Sequence, residues 1–275
     1  YPPALPDPLA GSPIAIRAEQ GLGDVLFFLR YAAPLRDAGA QLHFMDVAER
    51  LVPMVRRAFP TATFGSADSP PEGATGLWAG DLPQFVAALT GRPVEPVLSL
   101  QPLPERVERM RAMLGDSSLP AAGIAWRAGT RPRSGPVGQK LLSKEIDPAS
   151  FGEALAGLER RWVVVQRNPE AGEVARVQAA LGAPVIDLSA ANDDLEDLLA
   201  LMSLLDEYAG MSSTSVHLRA GVGRGGRVLV PLPSDWRWQV AGDSPWFPGY
   251  TVYREERDGW DRALATLRRD LEAAA

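Results

Sequence analysis

The chain contains no cysteine and only two histidines. Without thiols there are no disulfides, no thiolate metal sites and no cysteine nucleophile, and two histidines do not supply a His-rich metal centre. An excess of positive charge is also missing: 28 Lys and Arg stand against 34 Asp and Glu, giving a net charge of −6 and a pI of about 5.1. That balance argues against a general nucleic-acid role. No apolar run approaches the roughly 18 residues of a membrane span, and no basic-then-apolar leader opens the sequence, so the expected location is the cytoplasm. What is present is an ordinary globular composition, 46% hydrophobic and 23% charged, in 275 residues. That length suits one large or two ordinary domains. Residues 1–13 are rich in proline and read as a linker from a longer protein.

Strand and helix signals alternate twice along the chain. In the first series, strands are expected at 14–18, 41–45, 63–64 and 77–78, and helices at 24–38, 47–58 and 82–89, the last with Asp81 as a cap. A proline-rich loop at 93–104, a helix at 105–114 and a hinge at 115–120 follow. The second series has strands at 122–126, 162–166, 185–187, 208–211, 227–231 and 250–253. Its helices are at 148–158, 170–181, 195–205, 215–222 and 259–273. Val163, Val164 and Val165 in a row mark a strand buried on both faces. The reading is an α/β fold with two Rossmann-like layers and a cleft between them, residues 1–118 and 119–258, followed by a closing helix at 259–275. Ligands in such sheets bind at the carboxyl ends of the strands.

Several polar residues fall at those ends. Glu19, Gln20, Gly21, Gly23 and Asp24 lie where the first strand turns into a helix. Glycines there let a ligand approach the backbone, and the helix mouth favours an anion. Asp24 either caps the helix or takes a proton; both readings stay open. The loop after Trp126 carries Arg127, Arg131, Arg133, Lys140 and Lys144, suited to neutralising phosphates unless it is simply a solvated loop. Gln166 and Arg167 end the valine strand, either at a ligand or as a surface pair. Ser212, Ser213, Thr214 and Ser215 precede the helix carrying His217, and hydroxyls with free N–H groups at a helix start suit a diphosphate. His217 contacts phosphate or ribose, or packs against a neighbouring helix. Trp236, Trp238 and Trp246 beside Asp235 either stack on a base or sugar or fasten a long loop.

An ordered set of segments resembles the GT-B glycosyltransferases. The set is Glu19-Gln20-Gly21-Leu22-Gly23-Asp24, Gly123-Ile124-Ala125-Trp126, Trp162-Val163-Val164-Val165-Gln166-Arg167, Ile186-Asp187-Leu188-Ser189, Ser212-Ser213-Thr214-Ser215-Val216-His217-Leu218, Asp235-Trp236-Arg237-Trp238 and Ser244-Pro245-Trp246-Phe247-Pro248. Within that group it is similar to the heptosyltransferase-like (glycosyltransferase family 9-like) catalytic domains that follow tetratricopeptide repeats in many bacterial proteins. The resemblance implies two Rossmann-like domains facing a central cleft, an acceptor side and a nucleotide-sugar side, with the 259–275 helix crossing back to the first domain. It implies metal-independent, inverting transfer from a nucleotide sugar, which is a substrate, with no cofactor. The acceptor would be a protein, a lipid-linked molecule or a saccharide, a protein fitting upstream repeats.

By the same resemblance Asp24 matches the base, with Glu19, Gln20, Gly21, Gly23, Asp235 and Trp236 lining the cleft. Arg127, Lys140, Lys144, Gln166, Arg167, Ser212, Ser213, Thr214 and His217 match the donor side. One departure stands out: relatives carry an Asp–Thr pair where this chain has Ser212–Ser213. It motivates a second reading, a catalytically degenerate domain that binds a nucleotide or a partner protein. A phosphosugar epimerase would need a facing acid/base pair, which the sequence does not offer.

Overall fold

The structure is a computed structural model that describes residues 4–129 and 144–274. Its contacts divide the chain into two compact units. The first comprises Tyr1–Pro102 with Ala220–Gly223, and the second comprises Leu103–Arg219 with Arg224–Ala275.

The first unit is built from β1 (Pro13–Arg17), α1 (Leu22–Phe28), α2 (Ala32–Asp37), β2 (Gln41–Met45), α3 (Val52–Ala58), β3 (Thr63–Gly65), β4 (Thr75–Trp78) and α4 (Leu82–Thr90). Among the described residues its strands form one parallel sheet in the order β3-β2-β1-β4. Paired residues share a face: Ile16, Phe44 and Leu77 lie side by side and are almost fully buried. The helix expected over 24–38 is two helices joined by a 3-10 turn, Leu29–Tyr31. Pro34 accounts for the break: it has no N–H to offer the carbonyl four residues back and its ring crowds that carbonyl. It is tolerated because it falls in the first turn of α2. Asp81 does not cap α4. It ends a 3-10 turn with helical backbone angles, and its side chain makes no capping bond.

The second unit runs α5 (Pro104–Leu114), β5 (Ala121–Ala125), α6 (Pro148–Leu155), β6 (Arg161–Val164), α7 (Glu173–Leu181), β7 (Val185–Asp187), α8 (Leu195–Leu204), β8 (Glu207–Met211), α9 (Thr214–Gly221), β9 (Gly226–Val230), β10 (Tyr250–Arg254) and α10 (Asp261–Glu272). Its parallel sheet has the order β10-β9-β8-β5-β6-β7. Counted from β5 this is 3-2-1-4-5-6, the dinucleotide-fold order, and it reverses between β5 and β8. Side-chain caps start two of its helices: Asp147 accepts from the Ala149 and Ser150 amides on α6, and Asp194 accepts from the Glu196 amide on α8.

The units divide at Pro102, earlier than residue 118, because α5 packs on α8. There Arg106 reaches Asp197 at 2.8 Å and Asp194 at 3.0 Å, and Arg109 pairs with Asp197 as well. The closing helix is also placed differently from the crossing-back arrangement. Ala263, Leu264, Leu267 and Leu271 of α10 are buried in the second unit's own core with Trp126, Phe151 and Trp162. An apolar stripe on a terminal helix goes to whichever core has an open face, and here α6 and β10 supply it.

Gly152 of α6 sits where α7 crosses closely. A Cβ there would lie 2.7 Å from the Ala180 methyl and 2.8 Å from the Val177 carbonyl oxygen. Alanine would gain about 1 kcal/mol of helix propensity, but overpacking against backbone costs about 1–3 kcal/mol. Gly152→Ala is therefore expected to lower stability by about 1 kcal/mol in urea unfolding; a more stable variant would refute the close crossing.

Candidate functional site

The second sheet reverses its order between β5 and β8, so the loops leaving those two strands part company there. After β5, the backbone of Trp126 and Arg127 is held by Gln166. Its Oε1 accepts from the Trp126 amide at 3.0 Å and the Arg127 amide at 2.8 Å. Its Nε2 donates to the carbonyls of Arg127 and Arg167 at 3.2 and 2.9 Å. Gln166 is 1% exposed, and both ends of its amide are spent on main chain. In this structure it is a brace, a role apart from both the ligand contact and the surface pair that the sequence left open. Arg167, the next residue, is exposed.

Arg127 likewise points inward. Its Nη2 donates to Glu173 at 2.9 Å and to the Asn168 carbonyl at 3.0 Å. Burial alone would raise the Glu173 carboxyl, but the Glu170 amide and the Arg127 guanidinium outweigh it and hold the group below the usual carboxylate range. The pair thus neutralises a charge that the motif resemblance matched to the donor side. Backbone bonds from Ala128 N to Lys144 O (2.8 Å) and from Ile146 N to Trp126 O (2.9 Å) close the base of the loop between them. Arg131, Arg133 and Lys140 lie outside the described residues. Lys144, one of only two lysines in the chain, is half-buried at that base.

After β8 the chain enters α9 through Ser212 and Ser213, both partly exposed, as is Thr214. The Ser212 hydroxyl accepts from the Trp238 indole at 2.7 Å. Trp238 stacks on Phe247 with centroids 4.5 Å apart, and Phe247 meets His217 edge-on at 5.2 Å. Trp238 therefore fastens the long loop after β9 to the mouth of α9, and His217 is packed beneath that loop. Behind the same mouth lies Tyr208, fully buried, its ring lying over Gly210, where a Cβ would be 2.7 Å from the phenol oxygen. Burial pushes this phenol up to about 12, with the Ser213 and Ser215 hydroxyls pulling it part of the way back. Nothing in the sequence marks Tyr208 or Glu173 as members of this site. Their roles arise from what the turns bring next to them.

Asp235, at the end of the β9 exit, caps its own turn and binds Arg237. Burial would raise its carboxyl, but Arg237, helped by the nearby charge of Lys144, holds it low. Lys144 and Asp235 thus stand close enough to feel each other. Trp236 is 52% exposed and meets Trp246 edge-on at 4.9 Å.

In the first unit, Glu19, Gln20, Gly21, Gly23 and Asp24 lie at the carboxyl end of β1, next to that of β4. Glu19 Oε1 accepts from the Gly80 amide at 3.3 Å, and a Cβ on Gly80 would come within 2.9 Å of that oxygen. The α1 N-cap is Gly21, with no side-chain cap, so Asp24 is not the N-cap. It lies in the first turn, its Oδ2 3.3 Å from where a Gly21 Cβ would be.

No protein-family model matches the chain, and no curated protein matches it in sequence. Solved structures do match. A glycosyl transferase family 9 protein of Veillonella parvula superimposes with a TM-score of 0.60 at 13% identity, covering 90% of this chain and 87% of that one. The two chains share a fold. The Escherichia coli ADP-heptose LPS heptosyltransferase II gives 0.58 at 13% identity over 95% and 97% of the two chains. TibC of enterotoxigenic E. coli, an iron-containing dodecameric glycosyltransferase, gives 0.55 at 15% identity, this chain spanning 63% of its length. Two parallel sheets are thus the GT-B architecture that the ordered motifs implied. Among the described residues, no group of three or more His, Asp or Glu is placed to hold a metal ion.

Because Glu173 titrates below its unfolded value of 4.5, its ion pair stabilises the fold above about pH 4.5 and that stability is lost as the pH falls further. Glu173→Gln is expected to cost about 1–3 kcal/mol at pH 7 and to flatten the acid limb of the stability profile. Calorimetry at pH 3.5–7 reads both; an unchanged acid limb would refute the pair's role.

Proposed function

We propose that the chain is a glycosyltransferase that moves a sugar from a nucleotide-sugar donor to an acceptor nucleophile. The observation that carries this reading is the reversal of strand order between β5 and β8. It directs two loop bases outward, one with the α9 mouth and one with Lys144, on a fold shared with solved glycosyltransferases. The E. coli neighbour's donor, ADP-heptose, makes a nucleoside diphosphate sugar the reasonable class here. Serine and threonine hydroxyls and the N–H groups opening α9 suit a diphosphate, and Lys144 supplies a compact positive charge at the other loop base. Arg127, tied to Glu173, holds the loop base instead.

In the reaction we infer, the acceptor O–H loses its proton to a base as its oxygen bonds to the anomeric carbon, and the motif resemblance gives the role of base to Asp24. The carbon–oxygen bond to the diphosphate breaks, and the leaving group takes the electron pair. Its growing charge is met by Lys144 and the α9 amides. A single displacement of this kind inverts the anomeric centre and asks for no metal. Protein, lipid-linked and saccharide acceptors all supply the needed hydroxyl.

A degenerate binding domain is the second reading. Ser212–Ser213 removes a carboxylate from the α9 mouth, and the Ser212 hydroxyl is already engaged by Trp238.

Thermal-shift titration with ADP, UDP, GDP, CMP and dTDP separates these readings. One nucleoside diphosphate should raise Tm, saturation at 100 Kd being worth about 2.7 kcal/mol. If none does, donor binding is wrong; if one binds without transfer or donor hydrolysis, the degenerate reading stands. Asp24→Asn should lower kcat by about 10²–10⁴-fold at a stability cost of no more than about 1 kcal/mol, the worth of a first-turn carboxylate. Retained turnover would remove Asp24 from the chemistry.

A further inference from the structure

The first sheet is buried on one face and partly open on the other. Parallel sheets are normally covered on both. Here the connection from β3 to β4, residues 66–74, contains no helix, and Ala67 and Pro70 of that loop line a groove on this face. The register identifies what the open face presents. Ala15 lies beside His43 and Gly76, and Arg17 lies beside Met45 and Trp78. Two small residues form a floor, and a Cβ on Gly76 would meet nothing within 4 Å. The result is a groove of about 250 Å³ lined by Ala15, Arg17, Met45, Pro70, Gly76 and Trp78.

Its polar groups are held in place. The Arg17 guanidinium sits over the Trp78 indole, 4.8 Å from the ring centroid, and its Nε is 3.1 Å from Asp46. Asp46 also accepts from the Ala67 amide at 3.0 Å, which ties the covering loop to the same carboxylate. Trp78 remains 44% exposed. Arg17, Met45 and Trp78 end β1, β2 and β4, so the groove opens at the carboxyl edge. Glu19 and Gln20 follow Arg17 closely, and Gly80 follows Trp78.

We propose that this groove is an acceptor subsite that takes one neutral sugar ring, with Trp78 as its specificity-determining wall. The inference rests on the glycosyltransferase reading. Three observations select the ligand class. Arg17 and Asp46 cancel each other, so the groove carries no net charge with which to attract a carboxylate or phosphate. The pair offers both donors and acceptors beside an aromatic and aliphatic surface, matching a ring with hydroxyls on its rim and C–H groups on its face. The volume falls below the roughly 300–1,000 Å³ of whole-ligand pockets, which suits one ring of a larger acceptor.

Saturation-transfer NMR on the full chain tests this with neutral methyl glycosides, the corresponding uronic-acid glycosides and a proline-rich peptide as probes. The neutral glycosides should receive saturation. Trp78→Ala should weaken their binding about fivefold, the scale of one aromatic contact. Gly76→Val, whose Cβ has open space around it, should weaken it at least comparably, both variants melting near the wild type. Glycoside binding unchanged in both variants, preferential binding of the uronic acids, or binding of the peptide alone would each overturn the subsite. No nucleotide is present in these samples. A missing nucleotide shift with intact glycoside binding therefore overturns only the transferase reading, and the converse overturns only the subsite.

Discussion

One buried amide holds the carboxyl edge of the second sheet together. Gln166 leaves β6 and binds the main chain at Trp126 and Arg127, where β5 ends. Four hydrogen bonds in a dry setting fix where the β5 loop departs, and leaving any of those main-chain groups unpaired would cost about 1–3 kcal/mol each. The loop base closed by Lys144 and Ile146, the direction of Arg127 and the placing of Glu173 all follow from that departure point. The reversal of strand order then separates this loop from the one leading into α9.

The same edge shows how an acidic, lysine-poor chain distributes its cations. Arginine does much of the internal work. Arg219 is buried and donates to the carbonyls of Met202, Leu205 and Asp206, closing the end of α8. Arg160 is bound to Glu207 and to the Leu271 carbonyl, tying α10 to β8. A planar fork with several donors suits such positions, where a lysine would leave carbonyls unpaired. Arg127 belongs with these, its guanidinium spent on Glu173 and the Asn168 carbonyl.

The strands were legible because buried parallel strands are continuous apolar runs bounded by breakers. Residues 41–45 and 185–187 form strands as read, and the valine run supplies Val163 and Val164 at the end of β6. Helix ends were less so. The break before Pro34 and the uncapped Asp81 depend on the local backbone path, which composition does not record. The candidate site was half legible. Ser212, Ser213 and Asp24 lie at carboxyl ends as expected, but Gln166 faces main chain and His217 lies under Phe247. A polar residue at a strand end looks the same in sequence whether its partner is a ligand or a neighbouring turn.

The sequence by itself determined the two βαβ alternations, and with them two parallel sheets, because apolar periodicity and breakers act over a few residues. Only the tertiary structure decided which polar groups are spent inside the protein. Gln166 meets Trp126, Ser212 meets Trp238 and Arg17 meets Trp78 across separations of tens of residues. Such pairings depend on strand order and register, which come from packing the whole sheet.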